Sequence, residues 1–311
     1  MSSSAIQQAC ERVKGHVHNT PVLSSSAINE MAGCRLFFKC ENFQRMGAFK
    51  MRGATNAILC LPESARQKGV VTHSSGNMAQ AVALSARQLG IPAYIVMPTN
   101  APKVKKQAVV SYGGKITEVE PTIEARAAAA QKIVDETGAY FLHPSNDLQV
   151  IEGQGTAAAE LLDTHPGLDF VVAPVGGGGL LAGTALACQA KAPNCKVIGA
   201  EPSEADDAYR SLESGRIELN ETANTIADGL RTQLGDINFP IIQKYVDRIL
   251  TVDEDEIVEA MRLMWERMKI VVEPSSAVAL AAVFRNKHLF ADKNIGIIVS
   301  GGNVDLTQLP F

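Results

Sequence analysis

Phe170-Val171-Val172-Ala173-Pro174-Val175-Gly176-Gly177-Gly178-Gly179-Leu180-Leu181 is the stretch on which the fold turns. A six-residue apolar run has the length of a strand buried on both faces. The residues from Leu180 to Ala190 are mostly small or apolar and read as a helix. A strand that passes through a tight turn into a helix is the unit of a parallel α/β sheet. Four glycines also let the backbone approach an anion closely and turn its N–H groups toward it, at the positive end of the helix dipole. The loop therefore reads as a phosphate cradle rather than as a plain turn.

The same alternation extends in both directions. Gly69-Val70-Val71-Thr72-His73, Ala93 to Pro98, Lys115 to Val119 and Tyr140-Phe141-Leu142 read as strands. Helices are expected between them at Met78–Leu89, Val104–Tyr112 and Thr122–Thr137, and Ala79, Val82, Ala83 and Ala86 share a face of the first. Beyond the glycines, Lys196 to Ala200, Arg248 to Val252 and Asn294 to Val299 continue the strands, and a helix with capping-box character starts near Asp253. Strand–helix–strand spacing of this kind implies right-handed crossovers. We expect a larger α/β domain from residues 1–68 and 147–311, with a smaller, mobile domain over 69–146 inserted in it.

Composition narrows the function classes. The chain has 311 residues, 46% hydrophobic and 20% charged, which suits a globular enzyme of two lobes. A net charge of −4 supplies no attraction for nucleic acid or an anionic membrane. No seven-residue apolar core near the N-terminus suggests a signal peptide, and no run reaches the length of a membrane span. Cys10, Cys34, Cys40, Cys60, Cys188 and Cys195 form no C-x-x-C pair and have no histidine cluster, so they read as reduced thiols of a cytoplasmic protein.

One lysine stands out. In Glu41-Asn42-Phe43-Gln44-Arg45-Met46-Gly47-Ala48-Phe49-Lys50 the amine follows Gly, Ala and Phe, just past the apolar Leu36-Phe37-Phe38. Taken alone, such a residue snorkels from the first turn of a helix. Held in low dielectric it favours the free amine, the species that forms a Schiff base. Two further loops follow strands, Ser74-Ser75-Gly76-Asn77 and Ser300-Gly301-Gly302-Asn303, and ligands of doubly wound sheets bind at the carboxyl ends of strands. Gly177, Gly179 and Ala182 also satisfy a loose dinucleotide fingerprint, with Glu201 where a ribose-binding acid would stand, so an NAD-dependent oxidoreductase is the rival. A phosphate cradle, an amide-rich turn, a hydroxyl and a lysine suit one phosphorylated aromatic aldehyde better.

Together with Thr20-Pro21-Val22-Leu23, Met51-Arg52-Gly53-Ala54 and Ala227-Asp228-Gly229, these motifs resemble the pyridoxal-phosphate enzymes of the tryptophan-synthase-β fold, fold type II. The resemblance runs over nearly the whole chain and is nearest to the branch of serine/threonine dehydratases, serine racemases and threo-3-hydroxyaspartate ammonia-lyases. It implies pyridoxal 5′-phosphate carried on Lys50, which would then serve as the Cα base. Gly176, Gly177, Gly178 and Gly179 would hold the phosphate, Asn77 the phenolic oxygen and Phe49 the ring face. Ser300 would meet the ring nitrogen, where a hydroxyl leaves the nitrogen neutral and favours loss of a β-leaving group over transamination. Ser74, Ser75, Gly76 and Asn77 would bind the substrate carboxylate, with Arg126 reaching it on closure. Ser75 would exchange a proton on the opposite face of Cα.

The acidic Glu201-Pro202-Ser203-Glu204-Ala205-Asp206-Asp207 reads on its own as a helix start. The resemblance implies a divalent cation there, Mg²⁺, on Glu201, Asp207 and the Ala205 carbonyl. It further implies a small amino-acid substrate, a homodimer and, as in some racemase relatives, a nucleotide effector. His73 and His143 lie at strand ends, and Trp265 sits in a Met-rich helix that reads as core. Many relatives carry serine at position 48 and histidine at position 78; this chain has Ala48 and Met78. The chain stops at Phe311, so no separate C-terminal regulatory domain, and no feedback control through one, is expected. The expected activity is β-elimination from L-serine, L-threonine or threo-3-hydroxyaspartate to a 2-oxo acid and ammonia, with serine racemisation in the same pocket.

Overall fold

The computed structural model describes residues 3–74, 76–101 and 103–311. Its strands are β1 (Val22–Leu23), β2 (Arg35–Cys40), β3 (Val70–His73), β4 (Ala93–Pro98), β5 (Lys115–Val119), β6 (Tyr140–Phe141), β7 (Phe170–Pro174), β8 (Lys196–Pro202), β9 (Arg248–Val252) and β10 (Asn294–Val299). They form two sheets, one in the order β1-β2-β10-β7-β8-β9 and one in the order β5-β4-β3-β6. Among the strands of the described residues, the β1–β2 pair is antiparallel and the other pairings are parallel. Parallel strands covered on both faces read as continuous apolar runs, and β7 and β10 are buried almost throughout.

The pattern expected from sequence appears as strands and helices near the anticipated positions, in an α/β arrangement with two mostly parallel sheets. The four-stranded sheet draws on residues 70–141, and the six-stranded sheet on 22–40 and 170–299. The helix containing Trp265 ends in a π-helical turn, Met264–Met268, where the indole N–H donates to the Val272 carbonyl at 3.1 Å. No helix among the described residues is long and apolar enough to cross a membrane.

Two close approaches set the positions of the site-bearing helices. The helices Leu148–Thr164 and Gly179–Lys191 meet at glycines: a Cβ on Gly183 would lie 2.3 Å from the Ile151 carbonyl oxygen. On its other side, Leu148–Thr164 meets the helix Lys50–Cys60, where a Cβ on Gly153 would lie 2.6 Å from the Arg52 carbonyl oxygen. The lysine helix and the glycine-loop helix are thus held through one shared neighbour. Backbone contact at this range leaves no space for a methyl group, so a side chain at either glycine would separate the helices.

A charge network anchors the lysine helix from beneath. Arg52 is fully buried and forks onto Glu41, with Nε donating to Oε2 at 2.7 Å and Nη2 to Oε1 at 2.9 Å. The same guanidinium donates to both oxygens of Glu160 at 2.8 and 2.7 Å, and Lys39 donates to Glu160 at 2.7 Å. Burial alone raises the Glu41 carboxyl, but the charge and hydrogen bonds of Arg52 hold it below its ordinary value.

Candidate active site

Lys50 opens its helix two residues before Arg52, and the segment leading to it is stitched to the end of β10. Ala48 bridges Gly301, and the Phe49 N–H donates to the Ser300 carbonyl at 2.9 Å. The Gly302 N–H donates to the Gly47 carbonyl, also at 2.9 Å. Two strand-end loops distant in sequence are therefore one local structure. The Lys50 ammonium donates to the Pro144 carbonyl at 2.7 Å and lies 4.9 Å from the centroid of the Phe49 ring. With no carboxylate beside it to favour the charged form, desolvation lowers its pKa from 10.5 to about 8. At pH 7 this leaves about a tenth of the amine neutral, against roughly three parts in ten thousand for an unperturbed lysine.

The glycine loop faces the same turn that receives the lysine. A Cβ on Gly177 would lie 2.5 Å from the Ser145 hydroxyl, and one on Gly179 would lie 2.5 Å from the Gln154 Oε1 and 3.0 Å from the Ser145 Cα. Pro144-Ser145 is therefore shared by the lysine and the cradle. Gly178 adopts φ +79°, a left-handed conformation that L side chains rarely hold, and it turns the chain into the helix Gly179–Lys191. The first N–H groups of that helix have no intrahelical acceptor and face an anion's position by geometry. Asn238, fully buried, locks the loop by donating to the Gly177 carbonyl at 2.8 Å and to the Ser145 carbonyl at 3.2 Å. The Gln154 Oε1 is buried without a hydrogen-bond partner. A cradle that excludes side chains and presents main-chain donors fits a phosphate.

His143 shapes the turn. Its Nδ1 accepts from the Ser145 and Asn146 N–H groups at 3.2 and 2.8 Å. Burial, with the charges of His73 and Lys50 adding to it, pushes its pKa down to about 4, so the ring is neutral. His73 stands 6.1 Å from it, ring to ring, and is likewise lowered, first by burial and then by the Arg126 charge. Arg126 donates to the Thr122 carbonyl of its own helix at 3.2 Å. It is not gathered into the lysine and glycine cluster.

Asn77 and Ser300 sit within hydrogen-bonded rows. The Asn77 Nδ2 donates to Glu273, and its Oδ1 accepts from Asn303 at 2.9 Å. The Ser300 hydroxyl meets the Ser276 hydroxyl at 2.9 Å, and Ser276 accepts from the Gly301 N–H at 2.7 Å. The Ser74 hydroxyl accepts from the Gly76 N–H at 3.2 Å, at the start of the helix Asn77–Gln88. Ser75 lies outside the described residues. Met78 is packed into the core beneath this helix start, and the Ala48 methyl is fully buried beside Gly301.

The acidic segment after β8 forms a second cluster. Glu201 and Asp207 are both fully buried. Glu201 accepts from the Ala208 and Tyr209 N–H groups at 3.1 and 2.8 Å, and Asp207 Oδ1 accepts from Asn220 at 2.6 Å. Burial raises both carboxyls, and Asp207 reaches about 6. The Asp207 Oδ2 is buried with no hydrogen-bond partner. Two desolvated carboxylates and an orphaned oxygen fit a cation, with Ala205 buried between them in the sequence.

Sequence reasoning missed Glu273, Ser276, Asn238, Ser145 and Gln154. Glu273-Pro274-Ser275-Ser276 carries a legible helix-start signal, since proline at the first turn is typical. That signal gives no reason to bring the turn to the lysine. Only the parallel pairing of β10 with β2 and β7 does so.

A family model described as pyridoxal-phosphate dependent enzyme matches residues 13–301. The beta-hydroxyaspartate dehydratase of Paracoccus denitrificans (strain Pd 1222) is 50% identical over 303 residues, 97% of this chain and 96% of that protein. The crystal structure of the serine racemase from Dictyostelium discoideum superposes with a TM-score of 0.95 at 49% identity, covering 98% of this chain and 99% of that one. The crystal structure of a T.th. threonine deaminase superposes with a TM-score of 0.94 at 42% identity, covering 99% of this chain and 100% of that one. These likenesses lend no support to the dinucleotide reading of Gly177, Gly179 and Ala182.

Proposed function

The chain belongs to the pyridoxal-phosphate dependent enzyme family, and from that premise we propose that it is an ammonia-lyase acting on small β-hydroxy amino acids. L-serine, L-threonine or threo-3-hydroxyaspartate would yield a 2-oxo acid and ammonia, with serine racemisation in the same site. The observation that carries this reading is the placement of the Lys50 amine, 2.7 Å from the Pro144 carbonyl, across the Pro144-Ser145 turn from a cradle free of side chains. Pyridoxal 5′-phosphate, when bound, supplies the electron sink that lets Cα lose its proton and a β-hydroxyl depart.

The residues divide the work. Gly176 to Gly179 and the helix N-terminus hold the phosphate, and Lys50 holds the cofactor and then takes the Cα proton. Phe49 supports the ring. Ser300, a hydroxyl already paired with Ser276, faces the ring nitrogen without adding charge. Asn77 donates to the phenolic oxygen. Ser74, Ser75, Gly76 and Asn77 bind the substrate carboxylate, and Arg126 reaches it when the unit of residues 69–146 closes. The Lys105–Asp228 ion pair, at 2.5 Å, joins the two units and supports such closure. Ser75 exchanges a proton on the face opposite Lys50.

Glu201, Asp207 and the Ala205 carbonyl would hold Mg²⁺, which would neutralise two buried carboxylates that form no salt bridge among the described residues, the nearby Arg210 pairing instead with Asp206 at 2.7 Å. Treating the holoprotein with EDTA is expected to lower its melting temperature by on the order of 2 °C or more, and Mg²⁺ to restore it, because an ion bound only to the folded state stabilises it by linkage. An unchanged melting curve would leave the acidic segment as a helix start. A cytoplasmic setting agrees with six free thiols. A homodimer and a nucleotide effector belong to this reading on family grounds.

The deciding assay measures ammonia and 2-oxo acid from the three substrates, with chiral analysis of the residual serine. Release of both products from at least one substrate is expected. A coloured holoenzyme that releases neither would make the chain a binding protein instead.

A further inference from the structure

Glu273 is a buried carboxylate in the site to which the roles above assign nothing. It precedes the helix Pro274–Arg285, is 3% exposed, and its N–H donates to the Gly301 carbonyl at 3.1 Å. It ends a row of amides. Asn303 Nδ2 donates to the Met46 carbonyl at 2.8 Å and to Asn77 Oδ1 at 2.9 Å. Asn77 Nδ2 in turn donates to Glu273 Oε1 at 2.9 Å and to Oε2 at 3.2 Å.

The two ends fix the sense of the row. A backbone carbonyl and a carboxylate can only accept. The Met46 carbonyl therefore requires Nδ2 of Asn303, whose other hydrogen then meets Asn77 Oδ1. The Glu273 carboxylate requires Nδ2 of Asn77. A flipped Asn77 would set its oxygen against the carboxylate and its amine against the Asn303 amine, so every bond in the middle of the row would be lost. One Nδ2 hydrogen of Asn77 can satisfy both carboxylate oxygens, and the second has no protein partner among the described residues.

We propose that Glu273 is a positioning residue which, with Asn303, fixes the Asn77 amide as a donor to the phenolic oxygen of the bound cofactor. This rests on the pyridoxal-phosphate reading above. Burial raises Glu273 to about 7 and Asp228 adds to the rise; Asn77, Lys105 and the Asn303 N–H oppose it. The charged form, present above that value, can only accept and holds Asn77 as a donor. The protonated form accepts from Asn77 only through a neutral carbonyl oxygen, a weaker acceptor than a carboxylate, so the hold on Asn77 as a donor to the phenolic oxygen weakens as pH falls.

The test follows the absorbance of the cofactor-loaded protein from about pH 6 to 8, bracketing the Glu273 value, for the wild type and Glu273→Gln. In the wild type the visible band is expected to grow relative to the near-ultraviolet band as pH rises through that value. Glu273→Gln, still fully loaded, is expected to lose this transition, with kcat down about tenfold and KM within about twofold. If Glu273→Gln does not fold, the wild-type titration and Asn303→Ala decide, and the transition must shift in Asn303→Ala. A flat wild-type ratio, a transition that persists in Glu273→Gln, or one unmoved in Asn303→Ala overturns the proposal. A visible band without these changes refutes the role of Glu273 alone, whereas no visible band at any pH refutes the cofactor reading itself.

Discussion

Lys50→Ala is expected to abolish turnover and, with it, the visible absorbance of the cofactor-loaded protein. The loss should exceed ~10³-fold in kcat, because one amine both holds the cofactor and takes the Cα proton, and neither task has a substitute. No other lysine donates to the turn shared with the glycine cradle among the described residues. The wild type carries a second signature. Since desolvation brings the Lys50 pKa down to about 8, cofactor capture should speed up as pH rises and level off above that value. An ordinary lysine would go on gaining to its usual value of 10.5. Stopped-flow absorbance measures the capture rate. Full activity in Lys50→Ala, or a capture rate still climbing well above pH ~9, would refute the assignment of this amine.

Arg52→Ala is expected to cost about 3–5 kcal/mol of folding stability, the scale on which a buried ion pair is broken by removing one partner. Glu41 and Arg52 are both fully buried and joined by a fork at 2.7 and 2.9 Å. Without the guanidinium, burial would force Glu41 to take up a proton or draw water into the core. Arg52→Lys should recover little, because a single ammonium cannot meet Glu41 and both oxygens of Glu160 at once. The wild-type dependence on acid has a definite sign. The folded-state pKa of Glu41 lies below its ordinary 4.5, so this contribution is present above that value and fades as pH falls through the lower one. Urea unfolding measures both effects. A change under ~1 kcal/mol in Arg52→Ala would show that the buried Arg52–Glu41 pair does not hold the helix of Lys50 in place.

The strands and the glycine loop were legible because local chemistry dictates them. β7 is apolar throughout and β10 after Asn294, and the tetraglycine has few uses besides close backbone approach to an anion. Lys50 was legible only in company, since nothing between Gly47 and Lys50 distinguishes a buried amine from a snorkelling one. Asn238 and Ser145 were not legible. Their contacts with the cradle span 61 residues in sequence for Asn238 and Gly177, and depend on how a loop settles over the strand ends. Glu273 was hidden for another reason. An acid before Pro274 is an ordinary helix start, and its pairing with Asn77 crosses 196 residues and two sheets. Local signals carry the elements, and side chains that meet across parallel strand ends are set by topology.

The central claim is that the amine of Lys50 carries the cofactor beside the glycine cradle. Borohydride treatment of the loaded protein fixes the cofactor irreversibly to whichever amine holds it, and peptide mass mapping then locates the adduct. The account predicts a single pyridoxyl adduct, on the peptide containing Lys50. An adduct on another lysine, or none in a protein that retains its colour, would contradict it.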